Sequence, residues 1–238
     1  MSEKRDYLEC EKQWVFRVLI LVAGFYGGYA MLVRGGAFSN AQTGNIALMA
    51  LELGRGDWGS ALYYLIPIGA YMLGSLASEA LPKPLRRFHL LRWDTLLTLF
   101  EILAVTAMGF IPASAPHQIC QVIINFICAM QYNTFRSAEG VGMATTFCTN
   151  HVRQIGVFLA RVLDRNKRRK EQLHRVWLHV AMVLCFAAGV ALSVPACRFL
   201  GVKAIWLNLL PLTVLFVDLL HADLTKEKQL LEVKPEGH

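Results

Sequence analysis

The chain has 238 residues, of which 55% are hydrophobic and only 17% charged, with a mean hydropathy of +0.41. Soluble domains carry about a quarter charged residues, so this composition excludes an ordinary soluble globule and predicts an all-α integral membrane protein. The net charge of +7 does not indicate nucleic acid, because the basic residues flank apolar runs, as they do in the cytoplasmic loops of membrane proteins.

A span needs about 20 mostly apolar residues, and six stretches qualify: 15–33, 58–81, 91–111, 117–135, 176–195 and 200–220. The first is long, flanked by Arg34 and without a small-residue cleavage site, so it reads as a span rather than a removable signal. Two further segments, 41–54 and 147–162, have helical character but are short or amphipathic; the second carries His151, Arg153 and Arg161. Charge decides how they run. If both are re-entrant, then residues 1–14, the 82–92 loop (Lys83, Arg86, Arg87, Arg92), the basic run 161–175 and the tail 221–238 share one side. The positive-inside rule makes that side cytoplasmic. The expected topology is six spans with both ends inside, and the tail, mixed in charge and without an apolar face, reads as flexible.

An internal repeat runs through 15–220, with halves at about 15–111 and 117–220. Gly36-Ala-Phe-Ser-Asn-Ala-Gln-Thr-Gly-Asn45 follows one span, and Gly142-Met-Ala-Thr-Thr-Phe-Cys-Thr-Asn-His151 follows another. Gly36 and Gly142, Thr43 and Thr149, and Tyr26 and Tyr132 all lie 106 residues apart. Three crossings per half invert the second half relative to the first, and such folds place their sites at mid-membrane between discontinuous helices. Non-helical backbone at that depth survives only against protein or a watery cavity. Each re-entrant helix therefore begins with a polar head. Ser39, Asn40 and Thr43 are expected to cap the first, and Thr146, Thr149 and Asn150 the second.

The F-S-x-A-Q-T-G-N stretch at Phe38–Asn45, with A-T-T-F-x-T at Ala144–Thr149, resembles the YoaK family of bacterial multi-pass membrane proteins over about 15–220. Many relatives read T-G-N where this chain has Thr149-Asn150-His151. The family is of unknown function, so the resemblance implies a bacterial inner (plasma) membrane location and this architecture, but no chemistry.

The candidate pathway residues are Ser39, Gln42, Thr43 and Asn45 in the first head and Thr146, Thr149, Asn150 and His151 in the second. Glu101 joins them, because an ionisable residue in the middle of a span costs a few kcal/mol on insertion scales, roughly 2.5–3.5. The bland alternative for each is a helix cap or an interhelical hydrogen bond. Gln121, Asn125, Gln131 and Asn133 stud one span, where interhelical bonding explains them as well as a pathway does, and Gly24 and Gly28 give a GxxxG spacing. The six cysteines are scattered without metal-ligand spacing, so neither a metal nor a cofactor is expected.

Together these features predict a transporter or channel for a small polar or anionic solute, with Glu101 or His151 as proton couplers. The alternatives are a non-catalytic partner or sensor subunit and an intramembrane lipid-modifying enzyme. The enzyme is disfavoured because HExxH, GxSxG and paired aspartates are missing from the sequence. The expected partners are the lipid bilayer, an unidentified small solute and a second copy of the chain.

Overall fold

The computed structural model describes residues 7–82, 91–164, 169–231, 233 and 235. The expected basic residues Lys83, Arg86, Arg87, Arg165, Lys167 and Arg168 lie outside the described residues. Nine α-helices are described: α1 (Gln13–Val33), α2 (Gln42–Arg55), α3 (Trp58–Tyr63), α4 (Leu65–Ala80), α5 (Trp93–Gly109), α6 (His117–Thr134), α7 (Thr149–Leu163), α8 (Arg169–Leu200) and α9 (Leu209–Leu224). Both short helices form where the sequence predicts them. The expected span at 58–81 is split at Tyr64, where Pro67 has no N–H to offer the carbonyl of Tyr63. The last two expected spans run together through a 3₁₀ segment, Gly201–Asn208. A two-residue antiparallel pair, Ser137–Ala138 with Val141–Gly142, turns through Glu139 and Gly140, both at positive φ.

Four stretches are long and apolar enough to cross a membrane: Gln13–Val33, Trp58–Ala80, Trp93–Phe110 and the continuous Arg169–Leu224, itself 56 residues long. Helix α6 forms as expected but is not among them, since Gln121, Asn125, Gln131 and Asn133 lower its hydropathy. Large apolar side chains such as Met72, Leu76, Phe110, Phe199 and Leu210 are exposed on the outside of the bundle, while Glu101, Gln121, Asn125 and His151 are buried within it. This distribution is that of a protein whose surroundings are apolar.

Hydrogen bonds fix which helix ends lie together. At one end of the bundle, Gln13 donates to Glu139 just beyond α6, Arg136 pairs with Glu79 at the end of α4, and Arg92 before α5 pairs with Asp223 in α9. At the other end, Arg34 after α1 donates to the carbonyls of Ile111 and Pro112, Gln121 in α6 donates to Arg34 O, and Tyr29 donates to Val202 O beyond α8. Consecutive long helices therefore run in alternating directions.

Glycines set the closest approaches. Gly189 of α8 lies so near α1 that a Cβ there would come within 2.0 Å of Leu21 O, and Gly74 of α4 would meet Phe126 O of α6 at 2.3 Å. Gly24 meets Phe186 O at 2.2 Å in the same way, so the GxxxG spacing serves packing of α1 on α8 within the chain. The short helices then line up with these pairs: α2 packs on α4, and α7 on α8.

The start of the predicted flexible tail is tied down instead. Glu227 Oε1 accepts from the Glu9 N–H at 2.6 Å, and Arg92, itself 3% exposed, donates to the carbonyls of Leu230 and Val233. A buried guanidinium with Asp94, Asp223 and Glu227 around it supplies the partners that charge patterning along the chain does not reveal. Burial pushes the Glu227 carboxyl above its ordinary range, and the Glu9 N–H and Arg92 pull it back only in part.

Candidate functional site

The two polar heads, far apart in sequence, meet at one cavity of about 390 Å³. The first head contributes Phe38, Ser39, Asn40 and Ala41, and the second Phe147, Cys148 and Thr149. Helix α1 supplies Gly27, Gly28, Met31 and Leu32, and α8 supplies Phe186, Val190, Ser193 and Val194. Gly28 leaves its part of the wall without a side chain, and a Cβ there would lie 2.0 Å from Ser193 Oγ. Ser39 is 1% exposed and its Oγ has no hydrogen-bond partner. No charged side chain among the described residues lines the space.

The expected caps are not the caps. Ala41 and Cys148 precede the first turns of α2 and α7, and neither helix start is capped by a side chain. Asn40 is committed elsewhere, donating to Ala23 O of α1 at 3.2 Å, while Thr43 and Thr149 lie inside their helices and are exposed. Asn45 holds the first head from within α2: its Nδ2 donates to Phe38 O at 2.8 Å, and its Oδ1 accepts from the Phe38 N–H at 3.0 Å. His151 does the same for the second head, through a 2.7 Å bond from Nε2 to Ala144 O. Both bonds reach back seven residues, and Phe38 and Ala144 are themselves 106 residues apart. Two different side chains, 106 residues apart, thus make the same kind of bond.

The bond to Ala144 dictates the chemistry of the second head. A carbonyl only accepts, so the neutral His151 ring carries its proton on Nε2 and has a lone pair on Nδ1. That lone pair lies 2.8 Å from Nδ1 of His179 on α8, which must be the donor. His179 Nε2 is then an acceptor, buried and without a partner. Phe158 stacks on the His179 ring at 5.6 Å, and Arg161 and Arg175 lie over Phe158.

The other predicted residues separate into distinct places. Gln42 Nε2 donates to Asn125 Oδ1 at 2.6 Å, which bonds the first head to α6. Thr146 is fully buried outside the cavity lining. Glu101 accepts from Tyr26 OH at 2.9 Å between α5 and α1 and reaches neither head. Asn150 lines a second, more polar cavity of about 460 Å³ with Asn133, Arg136, Ala144, Arg153 and Gln154. Of the nine predicted residues, Ser39 and Thr149 line the shared cavity. The α8 wall and His179 escaped sequence reasoning. Ser193 and Val190 carry no motif, and His179 sits in an apolar run where only its neighbour in space gives it a role.

An anion at a helix N-terminus gains roughly 0.3–1 kcal/mol, up to about 2 when partly buried. Moving an ion out of water costs several kcal/mol unless a counter-charge repays it. With apolar walls and no counter-charge, the two helix starts favour an uncharged hydrogen-bonding group over an ion.

Fold and site together define an all-helical protein of membrane type with a cavity between two interrupted helix starts. The chain belongs to the family described as protein of unknown function (DUF1275), whose model matches residues 15–217. The YoaK family is part of it, in agreement with the resemblance carried by Phe38–Asn45. No curated protein and no solved structure matches the chain.

Proposed function

We propose that the protein is a membrane transporter or channel for a small polar solute, built from two inverted halves of three crossings each. The observation that carries this reading is the convergence of both heads on one cavity, with α1 of one half and α8 of the other as its walls. Pairing supports the inversion: the first helix of each half packs on the second long helix of the other, with Gly189 against Leu21 O and Gly74 against Phe126 O. The alternating helix ends support six crossings, with α6 as the most polar of them. In this reading the protein is not an enzyme. It lies in a bacterial plasma membrane with both ends cytoplasmic, and its partners are the bilayer, the solute and a second copy of the chain.

A non-catalytic partner or sensor subunit is the second reading. It is favoured by the number of polar side chains committed to internal bonds: Gln42, Asn45, His151 and Glu101 all hold the fold. Labelling separates the two. A Thr149→Cys variant in sealed vesicles is expected to react with membrane-impermeant thiol reagents from the aqueous phase, while a Ser114→Cys control reports full access. No reaction at position 149 alongside full reaction at 114 overturns the transport reading and selects the second.

A further inference from the structure

We infer that the cavity between the heads binds a small uncharged molecule with an apolar body and a single hydrogen-bonding group, which Ser39 Oγ receives. The inference rests on the cavity being the pathway proposed above and narrows its small polar solute to an uncharged one. Three observations carry it.

The walls are mainly aromatic and aliphatic, with Phe38, Phe147 and Phe186 around the space, and among the described residues no side chain of either charge lines it. The buried cation Arg34, two residues beyond the lining residue Leu32, is spent on Tyr29 and on the carbonyls of Ile111 and Pro112. An anion would therefore lose its hydration with only two helix ends to replace it, and a cation would face the positive ends of both. Ser39 lines the cavity and its Oγ is buried without a partner, a state a native fold corrects when a ligand or water supplies the missing bond. A volume of about 390 Å³ lies at the small end of ligand pockets and suits a small molecule.

Cys148 lies on the wall and reports occupancy without any substitution. The full chain in detergent micelles is treated with a water-soluble maleimide, and alkylation of Cys148 is followed by peptide mass spectrometry. Three probes of one shape and different charge are compared: benzamide, benzoate and benzylammonium. Benzamide is expected to slow alkylation of Cys148 at least fivefold and the two ions less than twofold. Ser39→Ala is expected to abolish the protection, and Ser39→Thr, which keeps the hydroxyl, to retain it. Equal protection by benzoate overturns the neutral class, and unchanged protection in Ser39→Ala overturns the role of Ser39. Alkylation that no probe slows overturns the binding inference and leaves the transport reading standing. Absence of alkylation under conditions that modify Thr149→Cys also overturns the inference alone, whereas absence at both positions removes the pathway with it.

Discussion

Replacing His151 with asparagine separates the two bonds its ring makes. Asn45 shows that an asparagine at the equivalent position bonds the carbonyl seven residues back, so His151→Asn is expected to keep the hold on Ala144. What it loses is the acceptor for His179 Nδ1–H, which is then buried without a partner, at a cost of about 1–3 kcal/mol. His151→Ala loses both bonds and leaves the space of a ring, and falls in the range of about 3–5 kcal/mol for deleting a buried aromatic. His179→Leu alone strands the lone pair on His151 Nδ1, again at about 1–3 kcal/mol. Combining His151→Asn with His179→Leu removes both unsatisfied groups, so the double variant is expected to fall short of the sum of the singles by at least about 1 kcal/mol. The assay is a double-mutant cycle on unfolding in mixed detergent micelles with increasing SDS, followed by far-ultraviolet circular dichroism. Additivity within about 0.5 kcal/mol would refute the paired imidazoles. A His151→Asn variant as unstable as His151→Ala would refute the equivalence of the two heads.

Two further outcomes follow from packing and charge. Gly189→Ala and Gly74→Ala push a methyl into a backbone carbonyl of the neighbouring helix and are each expected to destabilise by about 1–3 kcal/mol. Gly69→Ala, in the same helix as Gly74 but with open space around it, should be neutral or stabilising by up to about 1 kcal/mol in the same assay. The raised pKa of Glu227 means that its protonated form is favoured in the folded state. Its contribution to docking the tail is full below the ordinary carboxyl range and falls as pH rises through the folded value. Trypsin should therefore cut after Lys226 and Lys228 more slowly at pH 5 than at pH 8, after correction for the enzyme's own pH dependence on a peptide standard. Glu227→Gln should reduce the difference, and a difference unchanged in that variant counts against Glu227 as its source.

The helices were legible because their signal is local. Apolar length marked the long helices, and the offset of 106 residues marked the two heads before any contact was known. Caps were not legible, since capping propensity ranks residue types without knowing what else the side chain can reach. Asn40 is drawn away to Ala23 O, and Asn45 does the holding from inside the helix. Arg92 looked like one more orienting charge. Its role depends on acids from residues 94, 223 and 227, whose approach is a property of the bundle. Glu101 stands out in the middle of an apolar run, but the tyrosine that donates to it lies 75 residues away.

The asymmetry between the two halves bears on how such a protein would work. Gly27 and Phe38 line the apolar cavity, and the residues 106 positions later, Asn133 and Ala144, line the polar one. Where the first half offers a bare glycine, the second has Asn133 donating to Ser78 Oγ and Glu79 Oε1, so equivalent places in the repeat are open in one half and bridged in the other. Between the cavities stands the second head itself: Ala144 faces the polar side, and Phe147, Cys148 and Thr149 face the apolar one. The second head is pinned at Ala144 by the ring of His151, which is in turn held by His179 on α8. In the transport reading this bond is where a shift of α8 would be felt by the dividing wall. The imidazole pair is thus the contact that ties the second head to α8.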